Sequence, residues 1–139
     1  MRVRNLACVV LAGALLAVPS WPAETPEDAA QAAAESWLKL VDAGEYRASW
    51  EQTAKLFRGA VTQEQWTQAA KGTRAPLGKL VSRKVKSRQY TEKAPGAPDG
   101  KYVVIQFESA FENKASAIET VTPMLDPDGV WRVSGYYIR

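Results

Sequence analysis

The chain has 139 residues, with 18 Lys and Arg against 15 Asp and Glu, no histidine and a single cysteine. Its length fits one domain, and an apolar share of 46% with five tryptophans belongs to a globular chain rather than a disordered one. Without histidine, Ser-His-Asp and Cys-His catalysis and ordinary His-ligated zinc are excluded. Two of the basic residues, Arg2 and Arg4, sit at the very start, which leaves 16 basic against 15 acidic, so the high pI is no sign of nucleic-acid binding.

Residues 1–23 read as a secretory signal peptide. Arg2 and Arg4 form a positive start, Leu6 to Val18 is an uncharged apolar run too short to span a bilayer comfortably, and small and helix-breaking residues follow. Cleavage fits after Ser20 or after Ala23. Cys8 precedes most of the apolar run rather than following it, so it is not placed for lipidation, and the mature chain has no thiol and no disulfide. Residues 24–139 are then one domain held by packing alone, in the periplasm or outside the cell, with no stable membrane anchor after cleavage.

The first helix begins at Thr25, a good N-cap, with Pro26 at the first helical position and Glu27 and Asp28 at the positive end of the dipole. Ala30, Ala33, Ala34, Trp37, Leu38 and Val41 form one apolar stripe, and Gly44 is a natural stop. A second short helix carries Tyr46, Trp50, Ala54 and Phe57 on one face and ends at Gly59. The third opens on Thr62-Gln63-Glu64-Gln65, which fits a capping box, with Val61 and Trp66 as a hydrophobic staple. Gly72 is expected to close it.

After Pro76 the apolar period changes to two. Over residues 80–91, Val81 and Val85 are expected on one side and Lys84, Lys86 and Arg88 on the other. The Pro/Gly-rich stretch from Ala94 to Gly100 is a loop. In the next strand Val103, Ile105, Phe107 and Phe111 point one way and Tyr102, Val104, Gln106 and Glu108 the other. A turn at Asn113-Lys114 leads to a strand over 116–125, where Ile118 and Met124 compete with Val121 and Leu125 for the inward face. Asp126-Pro127-Asp128-Gly129 is a turn, since Pro fixes φ and Gly accepts a positive φ. The last strand, 130–138, alternates Trp131, Val133 and Tyr137 against Arg132, Ser134 and Tyr136.

Three N-terminal helices followed by a four-stranded antiparallel meander specify an α+β domain. The order looks like the nuclear-transport-factor-2-like, or cystatin-like, cone, in which a curved sheet wraps a helix and often leaves a pocket. Arg74 to Gly78, Ser82 to Lys84, Pro95 to Gly100 with Tyr102 to Val104, Glu119 to Met124, and Gly129 to Ile138 together resemble the bacterial domain-of-unknown-function 4019 family over nearly the whole mature region. The resemblance implies a small exported bacterial protein without an assigned activity, and it supplies no catalytic residues.

The chain shows no P-loop and no dinucleotide-binding glycine motif. Asp126 and Asp128 lack the further oxygen ligands of a calcium loop, and a turn accounts for them. No catalytic residue, metal ligand or cofactor is assigned. Trp37, Trp50, Trp66, Trp131 and Tyr137 are candidate pocket-lining aromatics, although their spacing also suits a core. Lys84, Lys86 and Arg88, with Lys79, Arg83 and Lys93 nearby, are a candidate surface for an anionic partner, although such a stripe is usually the solvated face of a half-buried strand, which is the favoured reading. Glu108 and Glu119, the mid-strand carboxylates, are expected on the outer face. The reading is a non-enzymatic envelope domain that binds a protein or a small ligand, with no role for nucleic acid. The alternative is a pocket enzyme, of isomerase or hydratase type, that uses a carboxylate as acid and base.

Overall fold

The computed structural model describes residues 16–139; Arg2, Arg4, Cys8 and most of the expected signal segment lie outside the described residues. Residues 16–25 carry no regular secondary structure, and Leu16, Val18 and Trp21 are exposed. Among the described residues no helix is long and apolar enough to cross a membrane.

Among the described residues, four α-helices precede four strands. They are α1 (Pro26–Asp42), α2 (Tyr46–Glu51), α3 (Lys55–Ala60) and α4 (Gln63–Arg74), then β1 (Leu80–Thr91), β2 (Tyr102–Phe111), β3 (Lys114–Leu125) and β4 (Trp131–Ile138). The strands form one antiparallel sheet in chain order, with β1 and β4 at its edges. The domain is therefore α+β with its helices ahead of its sheet. Thr25 caps α1 by accepting from the Asp28 amide, and Thr62 and Gln65 complete the capping box of α4. Both ends were written in short-range polar chemistry, which is why they fall where the sequence put them.

The core lies between one sheet face and the helices. Ala30, Ala34, Trp37, Leu38 and Val41 of α1 pack against Val103, Ile105 and Phe107 of β2, Val121 of β3 and Val133 of β4. In β3 the Val121 set faces inward, since Ala117, Glu119 and Val121 are buried while Ile118 and Met124 are not. The opposite sheet face carries Ser82, Lys84, Gln106, Glu108 and Thr122 and, among the described residues, has no helix over it. Tyr102 lies on that side yet is buried, because its own loop folds over it and the Pro98 carbonyl accepts from its hydroxyl at 2.7 Å.

Several expectations are corrected. The second helix is two, because the backbone leaves the helix to meet β4: Thr53 bridges to Val133, and the Ala54 amide donates to the Val133 carbonyl at 2.7 Å. Gly72 does not end α4, which runs on to Arg74 and a 3-10 turn over Ala75–Leu77. Bulges then break the two-residue alternation. Near Val81 a register shift leaves that residue 68% exposed rather than beside Val85. A second shift at Lys86 divides the basic stripe, since one extra residue sends every later side chain to the other face. A third, between Thr122 and Pro123, has the same effect on β4: Tyr136 turns to the core and Tyr137 is 57% exposed.

The chain reverses into β1 at Gly78, with φ 74° and ψ −162°, a region open essentially to glycine alone. A Cβ there would also sit 3.0 Å from the Glu112 Cβ. Gly78→Ala is expected to cost about 1–3 kcal/mol in urea unfolding, from backbone strain alone. A neutral result would mean that the β1 entrance does not need this conformation.

Candidate functional site

The most polar place in the interior is a knot of six side chains drawn from six elements. Glu119 of β3 is fully buried. Its Oε1 accepts from Arg83 Nε of β1 at 2.7 Å and from Ser109 Oγ of β2 at 2.5 Å. Its Oε2 accepts from the Tyr136 hydroxyl of β4 at 2.5 Å, with Arg74 Nη1 of α4 at 3.8 Å. Arg83 also grips Asp42, the last residue of α1, through both terminal nitrogens, at 2.7 and 2.9 Å. Arg74 Nη2 reaches the same Asp42 at 2.7 Å, and the Arg74 guanidinium lies 4.6 Å from the centre of the Phe111 ring.

Two guanidinium groups and two carboxylates make the knot neutral overall, which is what allows such charges inside. Arg74 and Asp42 each end a helix. The cation suits the negative end of the α4 dipole, and the two arginines hold Asp42 at the unfavourable end of α1. Burial pushes the Asp42 carboxyl up, but hydrogen bonds from Arg83 and then Arg74 outweigh it, so the group sits below its ordinary value of 3.8. Burial, followed by the charge of Glu119, holds the Tyr136 hydroxyl well above the usual phenol range. Both arginines are held in the charged form, because hydrogen bonds to Asp42 outweigh the cost of burial.

Asp42 therefore favours the folded state as a carboxylate. Its contribution is complete above the unfolded-chain value and drains as pH falls through the lower folded value. Asp28 and Asp128, held low by Arg88 and Arg132, act in the same direction from the surface. Urea unfolding free energy should fall as pH drops below about 4, and Asp42→Asn should flatten part of that slope. An unchanged slope would show that Asp42 carries none of the acid sensitivity.

Expected on the outer face, Glu119 is instead the centre of this knot, and its oxygens are engaged by Arg83, Ser109 and Tyr136. Both of its oxygens are therefore bonded within the knot. Glu108 does lie outside, paired with Lys84 at 3.2 Å.

Two surface clefts flank the sheet. On its helix-free face a polar depression of about 540 Å³ is lined by Ser82, Lys84, Lys86, Glu108, Ser116 and Ile118, among others. Lys84 is neutralised there by Glu108. Arg88, beyond the bulge, reaches instead across to α1, where it bonds Asp28 at 2.7 Å and Gln31 at 3.1 Å. Lys84 and Lys86 thus line the outer depression while Arg88 turns to α1, and the expected stripe becomes two ion pairs and one lysine, Lys86.

The second cleft, of about 400 Å³, lies between α1 and β4. Ala33, Ser36, Trp37 and Leu40 form one wall, Val130 to Val133 the other, and Gln52 closes one side. Two of the candidate aromatics meet here: Trp37 is buried and forms the inner wall, and Trp131 is half-buried. Arg132 borders the cleft but is spent, bonded to Asp126 at 3.0 Å and to both oxygens of Asp128 at 2.9 Å. Trp66 and Trp50 lie elsewhere. Trp66 is buried and donates to Ser49 Oγ at 2.9 Å, and Trp50 donates to the Val61 carbonyl at 2.8 Å. Tyr137 is on the outer surface.

The knot escaped the sequence reading because its partners are far apart in the chain, 36 residues for Arg83 and Glu119. The available signal was the family-like segments, which contain Arg74, Arg83, Glu119 and Tyr136. Among the described residues, no three His, Cys, Asp or Glu side chains are grouped to hold a metal ion. A family model described as "Protein of unknown function (DUF4019)" matches residues 33–136. No curated protein and no solved structure matches the chain.

Proposed function

From a chain that belongs to the protein family of unknown function DUF4019, we propose an exported, non-enzymatic binding domain of the cell envelope that takes a small ligand in the cleft between α1 and β4. The observation that carries this reading is the joining of Trp37 and Trp131 in one open, mainly apolar cleft away from the buried charges. Its volume of about 400 Å³ falls within the range of small-molecule sites. Export is supported by the positive, apolar and small-residue pattern of residues 1–23. The cone reading of the fold is supported by the helix-before-sheet order and by the packing of α1 on all four strands. Against the enzymatic alternative stands Glu119, the one fully buried carboxylate among the described residues, which is locked by Arg83, Ser109 and Tyr136.

The test is a fragment screen followed through the amide NMR spectrum of residues 24–139. Hits should move the Ser36 and Gln52 signals and the Trp131 indole together, and Leu40→Arg, which places a charged side chain in the cleft, should abolish those movements. Hits that move only signals outside the cleft, or none at all, would overturn the reading. N-terminal sequencing of the protein recovered from the cells that make it tests export: an intact start defeats it.

A further inference from the structure

Resting on the reading of the α1–β4 cleft as the binding site, we propose that its ligand is a neutral saccharide, one or two sugar rings in size, stacked on Trp131. Three observations define that chemistry.

The first is charge. Arg132 is the only charged residue lining the cleft among the described residues, and Asp126 and Asp128 already occupy its guanidinium. A charged ligand would give up water and find no free counter-charge, which is costly. The ligand is therefore uncharged.

The second is shape. The cleft is open to solvent, so a ligand seated in it keeps one side in water. A wholly apolar molecule would gain on one side alone. A molecule with a flat apolar face and polar edges gains on both, and the C–H face of a pyranose ring over an indole is such a pairing. Trp131 is half-buried, packs against the core cluster and also lines the cleft, so one side chain links the core to the cleft wall.

The third is the rim. Ser36 and Gln52 are exposed, lie at the cleft edge, and between them offer a hydroxyl and an amide. Each group donates and accepts, and neither is tied to another side chain among the described residues. Sugar hydroxyls also both donate and accept, so they can satisfy this pair in either direction. The volume of about 400 Å³ limits the ligand to a monosaccharide or disaccharide.

The experiment titrates residues 24–139, observed by amide NMR, with three neutral disaccharides (cellobiose, maltose and diacetylchitobiose), with glucuronate and glucosamine, and with indole as an apolar probe. At least one neutral disaccharide should shift the Trp131 indole and Gln52 side-chain signals saturably, and the charged sugars should bind more weakly. Trp131→Ala should weaken that binding by roughly tenfold or more, while Trp131→Phe keeps most of it, since a flat ring remains. If Trp131→Ala fails to fold, the Phe variant with Ser36→Ala and Gln52→Ala carries the comparison, and unchanged affinity in both rim variants defeats the proposal. Indole moving the cleft signals while every sugar leaves them still would overturn the saccharide class and leave the site standing. If neither indole nor sugar moves them, both readings fall.

Discussion

Replacing Glu119 by Gln should lower stability by about 3–5 kcal/mol, the loss typical when one partner of a buried ion pair is removed. The substitution keeps the shape of the side chain and deletes its charge. Arg83 and Arg74 would then share Asp42 alone, so a net positive charge would be held inside. Arg83 Nε and the Ser109 and Tyr136 hydroxyls would also face an amide in place of a carboxylate, and charge-assisted hydrogen bonds are the stronger kind. For a domain of this size the midpoint temperature should fall by more than about 10 °C. The control is the quadruple variant Arg83→Met, Ser109→Ala, Glu119→Leu and Tyr136→Phe, which replaces Glu119 and every side chain hydrogen-bonded to it and leaves the Asp42–Arg74 pair intact. Well-packed apolar replacements of whole buried clusters are often neutral or stabilising. The quadruple should therefore be more stable than Glu119→Gln alone. A single variant losing less than about 1 kcal/mol would show that charge balance does not govern this site. A quadruple as unstable as the single would place the loss in packing.

This contrast bears on what the knot is for. It ties α1, α4 and all four strands at one point, so no pair of these elements can slide without breaking a charged contact. Apolar contacts tolerate small slips of a strand; bonds from fixed guanidinium forks do not. The bulges in β1 and β4 make register a real choice here, and Arg83 and Tyr136 both lie close to a bulge. The knot touches the wall of the α1–β4 cleft indirectly, since Tyr136 stacks edge-on against Trp37 at 5.3 Å.

How far the chain could be read in advance follows from the range over which each feature is encoded. The caps at Thr25 and Thr62 and the turn at Gly129, with φ 81°, are decided within four residues, and all three were legible. The faces of β2 were legible too, because Val103 to Phe111 alternate without interruption. Val81, Lys86 and Tyr137 were misplaced because a bulge is a property of two strands, and nothing in one strand's own alternation announces it. Glu119 was misplaced for a related reason. A lone carboxylate in a strand belongs in water unless partners await it, and its partners lie on β1, β2 and β4. Of the candidate aromatics, the spacing placed Trp37 on the inward stripe of α1, but the packing of α1 against β4, a long-range contact, is what brings Trp131 beside it.

Trp37 is where core and cleft meet, and Trp37→Ala should cost about 3–5 kcal/mol, as large-to-small changes at buried aromatics do. Its ring lies 5.5 Å from that of Trp66 as well as against Tyr136, and its indole donates to the Ser49 carbonyl at 2.9 Å. Truncation opens a cavity bordered by two aromatic rings and leaves that carbonyl without its donor. Trp37→Phe keeps a ring and loses the hydrogen bond, which should cost about 1–3 kcal/mol. Trp131→Ala removes a half-buried ring and should cost about 1–2 kcal/mol. Urea unfolding should therefore rank the variants with Trp37→Ala lowest and Trp131→Ala near Trp37→Phe. Because Tyr136 touches both Trp37 and Glu119, the double variant Trp37→Ala with Glu119→Gln should lose less than the sum of its parts, by about 0.5 kcal/mol or more. Trp131→Phe should leave stability nearly intact, since a flat ring remains at the cleft. Should Trp37→Ala prove no more damaging than Trp131→Ala, Trp37 would be a cleft wall lying over a core that does not depend on it.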